Sequence, residues 1–141
     1  MVRDTLLSYY KDESLKKILA LIRESANDQE IVVDMEVAAS EMEHGYRNMA
    51  LANLMKSFGN LDNDVHKVVE NYFAQCSVSM NTRELSRSML YLANNGTDPI
   101  TNMTFITPPQ AKRINAVMLT CGPYDASGDF AFRVELPGKS G

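Results

Sequence analysis

A carboxylate and a carboxamide lie seven residues apart in the middle of the chain, at Glu41 and Asn48. Seven residues are about two helical turns, so on a continuous helix the two side chains would share one face. Asn48 also forms an i, i+3, i+7 series with Leu51 and Met55, which places its amide beside an apolar stripe, where a polar group needs partners. Spacing alone favours a structural role for both residues, with an amide that satisfies backbone groups and a carboxylate that pairs with Arg47.

Two tyrosines and a lysine are the other candidates for chemistry. Tyr72 lies within an apolar helical stripe, where a tyrosine usually buries its ring and hydrogen-bonds its hydroxyl group. Tyr124 follows a Cys-Gly-Pro turn that would direct its ring outward from a helix start. Lys139 is followed by Ser140 and Gly141; it is either a flexible, solvated lysine or a positive charge beside a site.

A serine–lysine pattern near the start of the chain is predicted to have no catalytic role. Ser14 and Lys17 match S-x-x-K, in which a serine nucleophile precedes a lysine base by one turn. They fall in the first turn of an amphipathic helix, where serine is common and the lysine is solvated. The two histidines, His44 and His66, lack any metal-ligand pattern, and no Gly-rich phosphate loop is present, so we expect no metal and no cofactor.

Composition restricts the class of protein. A chain of 141 residues with 45% hydrophobic and 23% charged residues is typical of one globular domain. The net charge of −4, without a basic stripe, argues against nucleic-acid binding. No apolar run approaches a membrane span and no signal-peptide pattern is seen. Cys76 and Cys121 do not suggest a disulfide framework, so the expected location is the cytoplasm.

Helical periodicity dominates the chain and predicts an all-α, bundle-like domain of about six helices. A brief extended piece is expected at 31–33. A Ser40-x-x-Glu43 capping box would divide the stretch 35–58 into two helices; otherwise one helix continues through it. The other helix starts and stops are predicted from local signals: a start near Asp12, a cap at Asp34, a stop at Gly59, a start at Asp62 or Asn63, an Asn81-x-x-Glu84 box, a stop at Asn94-Asn95-Gly96, a Thr107-Pro108-Pro109-Gln110 start, and a last helix over 124–134.

Several motifs occur in a fixed order along nearly the whole chain. They are Ser40-Glu41 with Arg47-Asn48-x-Ala50-x-Ala52, Tyr72-Phe73-x-x-Cys76-Ser77, Leu92-Ala93-Asn94-x-Gly96-x-x-Pro99, Thr120-Cys121-Gly122-x-Tyr124-Asp125-x-Ser127-Gly128-x-Phe130-Ala131, and Leu136-Pro137-x-Lys139-Ser140-Gly141. Together they closely resemble the serine-dependent glutaminases, which have a β-lactamase-like fold. The final Lys-Ser-Gly triplet agrees, because Lys-Ser/Thr-Gly is a signature of the related serine hydrolases.

The resemblance implies a reaction and roles for the candidate residues. The family hydrolyses L-glutamine to L-glutamate and ammonia without a cofactor. At the matching positions Glu41 meets the substrate α-amino group, Asn48 helps to hold the α-carboxylate, and the Tyr72 hydroxyl contacts substrate. Tyr124 would lie beside the nucleophile and relay a proton, and Lys139 would add positive charge. Family members are commonly oligomers, so a homo-oligomer is expected.

The same resemblance implies a domain division. Residues 1–134 match the helical domain of a glutaminase, and residues 135–141 match the start of a strand in a sheet domain that these 141 residues lack. The nucleophilic serine, its lysine and an upstream substrate-binding asparagine would also lie outside them. We therefore expect the chain alone to be inactive.

Two positions depart from the family pattern. Glu135 stands where glycine is typical, which puts a side chain at a position suited to positive φ. Gly138 stands where alanine is typical. Both positions immediately precede Lys139 in the sequence, so we expect the backbone leading to Lys139 to differ from that of typical family members.

Two other functions fit the same residues. The chain could be a non-catalytic helical module that binds a partner or a small amino acid, in which case an uncovered apolar surface would favour self-association. It could also be a subunit whose serine arrives on a second polypeptide.

Overall fold

A computed structural model describes residues 2–139 of the chain and confirms that this part is predominantly α-helical. Met1, Ser140 and Gly141 lie outside the described residues, so the Lys-Ser-Gly triplet is described only at Lys139. Short 3-10 turns over Lys11–Glu13 and Tyr124–Ala126 precede two of the helices. The helices within the described range are α1 (Val2–Tyr10), α2 (Ser14–Ala26), α3 (Met35–His44), α4 (Tyr46–Ser57), α5 (Val65–Cys76), α6 (Thr82–Ser88), α7 (Leu90–Ala93), α8 (Pro108–Cys121) and α9 (Ser127–Val134).

The chain divides into two compact units, and the division falls within α6 between Leu85 and Ser86. In the first unit, α1, α4 and α5 enclose an apolar core, with Met49 and Met55 packed against its edge. Phe73 is the largest apolar side chain in this core and is only 1% exposed. The core consists of Leu7, Ala52, Leu61, Val65, Val68, Val69 and Phe73.

A two-stranded antiparallel sheet joins two loops of the first unit. Strand β1 (Val32–Val33) pairs with β2 (Val78–Ser79), and Val33 faces Val78 in the register. The extended piece expected at 31–33 is therefore present. It is too short to show an alternating pattern in the sequence. Asp34 then caps α3 as predicted, because its side chain accepts hydrogen bonds from the backbone of Glu36 and Val37.

The stretch 35–58 forms two helices, but not for the predicted reason. Ser40 lies inside α3, so the Ser40-x-x-Glu43 capping box is wrong, and the interruption falls at Gly45. A Cβ atom at Gly45 would lie 2.2 Å from Cζ of Phe73. The close approach of the Phe73 ring therefore requires glycine at the junction between α3 and α4.

Polar contacts organise much of the second unit. The Arg87 guanidinium donates two hydrogen bonds to Asp98, at 2.7 Å to Oδ1 and 2.5 Å to Oδ2. Asp98 is 2% exposed and also accepts hydrogen bonds from the backbone of Ile100 and Thr101. The carboxylate thereby holds the loop between α7 and α8 and neutralises the buried part of Arg87.

Most predicted helix ends are confirmed. Gly59 has a φ of +70° after α4, Asn81 and Glu84 cap α6 reciprocally, and the Gln110 side chain accepts from the Thr107 backbone before α8. Two starts are wrong. Helix α2 begins at Ser14 after a 3-10 turn, not near Asp12. Helix α5 is capped by Asp64, one or two residues later than predicted.

The helix count also exceeds the prediction of about six. α1 is a helix of its own, a junction at Gly45 separates α3 from α4, and one at Met89 separates α6 from α7. None of the helices among residues 2–139 is long and apolar enough to cross a membrane. The predicted boundary between a helical domain and a strand beginning at residue 135 stays a prediction.

Candidate functional site

A small cavity in the first unit brings together two of the predicted site residues. Asn48 from α4 and Tyr72 from α5 both line it, and its volume is about 170 Å³. α1 contributes Arg3, which was not predicted. The remaining walls are apolar: Leu51, Ala52, Met55, Val68 and Val69. The accessible surface of the cavity is therefore almost entirely apolar, although three polar residues contribute to its lining.

Asn48 and Tyr72 have different surroundings within the cavity. Asn48 is half-buried, and within residues 2–139 no hydrogen bond to its carboxamide is found. Tyr72 is 41% exposed, and its ring lies 5.7 Å from the ring of Phe73, centroid to centroid. The core therefore holds the inner side of Tyr72 while part of the side chain remains open to solvent and to a ligand.

Arg3 is the one buried cation of this cavity. It is 5% exposed, and its Nη2 group donates to the Asn71 backbone oxygen at 2.7 Å and to Asn71 Oδ1 at 3.3 Å. Its Nε and Nη1 groups are buried and have no hydrogen-bond partner in the described part of the chain. Burial lowers the pKa of Arg3, but a guanidinium stays protonated at neutral pH. The unpartnered nitrogens of Arg3 are thus enclosed by protein beside the cavity.

The neighbouring carboxylate, Asp4, is engaged elsewhere. It is 5% exposed and accepts hydrogen bonds from the backbone of Asp62 and Asn63 and from the Asn63 side chain. Burial acts to raise the pKa of Asp4, whereas the hydrogen bonds lower it, and the net result lies below the ordinary value. Asp4 thus stabilises the loop before α5 and does not pair with Arg3.

Glu41 does not line this cavity. It lies in α3, beyond the junction at Gly45, so the continuous helix that would align it with Asn48 does not exist. Its side chain is exposed, and no ion pair joins it to Arg47 in the part of the chain that the structure describes. The structure therefore leaves Glu41 available at the surface, and its predicted contact with a substrate amino group stays a prediction.

In the second unit, the structure brings the other two predicted residues together. The Lys139 ammonium lies 5.0 Å from the centroid of the Tyr124 ring, a cation–π contact. Tyr124 is 74% exposed and has a φ of +55°, in the left-handed region. Its backbone oxygen accepts a hydrogen bond from the Ser127 hydroxyl, which helps to hold this unusual turn at the start of α9. The ring is thus directed outward, as its position after the Cys-Gly-Pro turn predicts.

Close packing around two glycines holds Lys139 near Tyr124. A Cβ atom at Gly122 would lie 1.7 Å from the Gly138 carbonyl oxygen, and one at Gly138 would lie 2.4 Å from the Phe130 ring. Phe130 therefore occupies the space that an alanine at 138 would need. Glu135, the other departure, has a φ of +60° at the end of α9, the strained geometry expected for a non-glycine residue there.

The structure supports the rejection of Ser14 as a nucleophile. Ser14 is fully buried, and its hydroxyl group donates to Asn71 Oδ1 at 3.0 Å. Lys16 pairs with Glu13 at the surface, and Lys17 is exposed. A buried hydroxyl group that donates its proton to an amide oxygen is not presented for attack on a substrate.

A second, larger cavity of the first unit has a volume of about 530 Å³ and contains none of the predicted site residues. Its polar groups are Asp12, Lys67, Glu70 and Asn71, set among apolar side chains of α2, α3 and α5. Within residues 2–139 no three His, Cys, Asp or Glu side chains are grouped closely enough to hold a metal ion.

Arg3 is the charged residue of the cavity lining that the sequence analysis did not predict. The signal was available: Arg3 stands four residues before the buried Leu7, and residues four apart share a helix face. An arginine on the buried face of a helix needs an explanation, because charged groups are rarely buried without partners.

Comparison with known proteins agrees with the motif order. The sequence model of the glutaminase family matches residues 1–141. The glutaminase of Aliarcobacter butzleri is 54% identical over 138 residues, which are 98% of this chain and 45% of the relative. The glutaminase of Rhizobium rhizogenes is 50% identical over 141 residues, 99% of this chain and 46% of the relative. The chain thus spans about half the length of these curated relatives.

Solved structures extend the likeness to the fold. A Bacillus glutaminase crystallised with 4.3 M NaCl matches with a TM-score of 0.85 and 35% identity, over 92% of this chain and 43% of that one. A Bacillus subtilis glutaminase in covalent complex with 5-oxo-L-norleucine matches with a TM-score of 0.83 and 34% identity, over 91% of this chain and 44% of that one. These matches confirm the predicted fold class as that of part of a glutaminase.

Proposed function

This chain belongs to the glutaminase family, and we propose that it supplies part of the pocket in which L-glutamine is hydrolysed to L-glutamate and ammonia. The reaction proceeds through an acyl-serine intermediate and needs no cofactor. The nucleophilic serine and its lysine belong to a part of the enzyme outside these 141 residues. A sheet domain, on the same or a second polypeptide, completes the site.

One observation carries this proposal: Asn48 and Tyr72, on different helices, line the same small cavity. The family resemblance assigns substrate contacts to these two residues, and nothing in their sequence spacing required them to meet. Apolar walls strengthen the hydrogen bonds that an amide and a phenol make to a bound amino acid, because water is kept away. We propose that Glu41, which does not line the cavity, contacts the α-amino group in the complete enzyme.

In the second unit, Tyr124 and Lys139 would serve the chemical step. The cation–π contact keeps the Tyr124 ring against the Lys139 ammonium, so a phenol and a positive charge are presented together. We propose that Tyr124 relays a proton to or from the serine and that Lys139 stabilises negative charge.

Two further proposals concern the setting of the protein. Cys76 and Cys121 are free and exposed, which fits a reducing cytoplasm. Large apolar side chains of the second unit are exposed, notably Phe132 (86%), Leu136 (62%) and Val117 (59%). Such a surface is suited to contact with the sheet domain or with another copy of the chain. Light scattering of the purified chain would separate a homo-oligomer from a monomer.

A chimera tests the proposed function. The matching segment of the Aliarcobacter butzleri glutaminase is replaced by this chain, and ammonia release from L-glutamine is measured. We expect turnover, and we expect Tyr72→Phe to lower kcat/KM by about 10- to 100-fold, as for a lost hydrogen bond to a charged substrate. Tyr9→Phe, which removes the hydroxyl of a tyrosine that is 80% exposed, is the matched control and should have no effect. A folded chimera without activity would refute the proposal.

The 141-residue chain alone tests the missing nucleophile. We expect no ammonia release from the chain, and Ser14→Ala should leave the chimera's activity unchanged, because Ser14 is buried and bonded to Asn71. Release by the chain that disappears in Ser14→Ala would instead make Ser14 the nucleophile.

A further inference from the structure

The larger cavity of the first unit, with a volume of about 530 Å³, has no role in the proposed function. Helix α5 packs against α1, α2 and α3, and all four helices contribute to the lining. The cavity shares no lining residue with the smaller one that Asn48 and Tyr72 line. Cavities of about 300–1,000 Å³ with mostly apolar walls and a few polar groups are the usual binding sites of small organic molecules. The volume is therefore that of a site for such a ligand.

One wall of this cavity is an apolar face of α3 that the chain leaves uncovered. The face consists of residues spaced i, i+3, i+4 and i+7, namely Met35, Ala38, Ala39 and Met42. No residue of α3 is buried, and Met35 is 70% exposed. Methionine side chains adapt their shape to varied apolar partners. The buried ring of Phe73 also lines the cavity, so a ligand needs an apolar body that packs against α3 and this ring.

The charged groups of the cavity indicate the sign of the ligand. Asp12 of the first 3-10 turn and Glu70 of α5 are carboxylates, Lys67 of α5 is the cation, and all three are exposed. None of the three forms an ion pair within the described residues. The remaining polar residue, Asn71, is engaged by the protein, because its Oδ1 accepts from the Ser14 hydroxyl and its Nδ2 donates to the Lys67 backbone oxygen. Two unpaired carboxylates against one ammonium favour a cation.

We infer that this cavity binds a small organic cation with an apolar body, of which a primary arylalkyl ammonium is the simplest example. Asp12 and Glu70 attract the ammonium group, and the aryl group packs against the methionines of α3. Because both carboxylates are exposed, each contributes a modest attraction that salt screens, and burial of the aryl group supplies most of the affinity. The inference is independent of the proposed function, since no residue of the proposed glutamine pocket lines this cavity.

Binding of three probes to the 141-residue chain tests this assignment. They are phenethylammonium, 3-phenylpropionate, which has the same ring with the opposite charge, and ethylammonium, which lacks the ring. In titrations followed by amide chemical shifts, phenethylammonium should shift α3 and residues 67–74. It should bind about 10-fold or more tightly than ethylammonium and about 3- to 5-fold more tightly than 3-phenylpropionate. No binding of phenethylammonium would overturn the site, and 3-phenylpropionate bound equally well would overturn the preference for a cation.

Two substitutions on one face of α5 should change the affinity in opposite directions. Glu70→Gln removes an attracting carboxylate and should weaken phenethylammonium binding by about 3- to 5-fold, whereas Lys67→Gln removes the repelling cation and should tighten it by about 2- to 5-fold. Glu24→Gln makes the same charge change at an exposed residue of α2 outside the lining and is the matched control. Changes of the same sign at Glu70 and Lys67, or equal changes at Glu70 and Glu24, would overturn the inference.

Filling the cavity tests the apolar part of the site and leaves every charge in place. Ala39→Leu puts a larger side chain into the lining and should weaken phenethylammonium binding by about 10-fold or more. Ala20→Leu, at an exposed position of α2 outside the lining, is its control. Equal affinities of these two variants would place the ligand elsewhere and overturn the inference.

The chimera separates this inference from the proposed function. Phenethylammonium should bind the chimera as it binds the 141-residue chain. An active chimera that does not bind phenethylammonium would refute the site and leave the function standing. A folded chimera without activity that binds phenethylammonium would refute the function and leave the site standing.

Discussion

The two units bury arginine in opposite ways. Arg87 of the second unit donates both terminal nitrogens to Asp98, which also accepts hydrogen bonds from the loop that it holds. Arg3 of the first unit is more deeply buried but uses only Nη2, on Asn71, and leaves Nε and Nη1 without partners. Arg87 is neutralised by a carboxylate of its own unit, whereas Arg3 has no carboxylate partner among the described residues.

The difference extends to what stabilises each unit. The first has a continuous apolar core around Phe73, so an incompletely paired cation beside it can be tolerated. In the second, Leu92 and Ala111 are the buried apolar residues among those described, and Ser88, Asp98 and Ser127 are buried with them. Buried polar groups with hydrogen-bond partners therefore contribute more to the interior of the second unit than to that of the first.

Truncation of the core should have the largest effect on the first unit. Phe73→Ala removes a ring that is 1% exposed and leaves a cavity, so we expect a loss of about 3–5 kcal/mol in the free energy of unfolding. Urea unfolding followed by circular dichroism measures it. A loss below about 1 kcal/mol would show that the apolar core does not dominate this unit.

Substitution of Arg87 should affect the second unit strongly. Arg87→Met leaves the Asp98 carboxylate buried without its cation, and amide exchange in the loop 97–104 should accelerate by about 100-fold or more. Asp129→Asn, which breaks the exposed pair of Asp129 with Arg133, is the control and should leave exchange nearly unchanged. Similar exchange rates in the two variants would contradict a structural role for the buried pair.

Acid should destabilise the second unit through the buried Asp98 carboxylate. The Arg87 guanidinium, with hydrogen bonds from Thr101 and the loop backbone, holds the pKa of Asp98 well below its usual range, despite burial. A lowered folded-state pKa gives stability that is complete above the unfolded value of about 3.9 and is lost as pH falls toward the folded value. Amide peak intensities followed from pH 6 to pH 2 should therefore decline below about pH 4 in the second unit, and this decline should be weaker in Arg87→Met.

The junction between α3 and α4 offers a moderate test of packing in the first unit. An alanine at Gly45 would put its Cβ atom 2.2 Å from the Phe73 ring and 2.5 Å from the Glu41 carbonyl oxygen. We expect Gly45→Ala to cost about 1–3 kcal/mol of unfolding free energy by overpacking. Gly128→Ala is the control, since nothing lies within 4 Å of its Cβ position. Equal stability of the two variants would mean that Phe73 moves aside without cost.

The smallest change in unfolding free energy is expected for Arg3→Met. Arg3→Met replaces an incompletely paired buried cation with an apolar side chain of similar length, so unfolding free energy should stay within about 1 kcal/mol of the parent or rise. The same substitution at Arg87 is expected to be damaging. Thermal unfolding of both variants in buffer free of carboxylates measures this contrast. A large loss at Arg3 would mean that its Asn71 contacts are structural in their own right.

Features governed by a single turn of chain were predictable. The caps at Asp34, at Asn81 with Glu84, and at Thr107 with Gln110 depend on bonds between residues two or three apart, and the αL geometry at Gly59 depends on one residue. The predicted starts near Asp12 and at Asp62 or Asn63 were wrong because several residues that favour caps lie close together, and the local pattern does not choose among them.

The sequence by itself determined the helical class of the chain, most helix ends and, through ordered motifs, its family. These depend on bonds within one turn and on residue order. Only the tertiary structure decided that Asn48, Tyr72 and Arg3 line one cavity, that the Phe73 ring packs against Gly45, and that Phe130 fills the space beside Gly138. Each of these contacts joins residues distant in the sequence, and packing of the whole unit, which no short pattern encodes, brings them together.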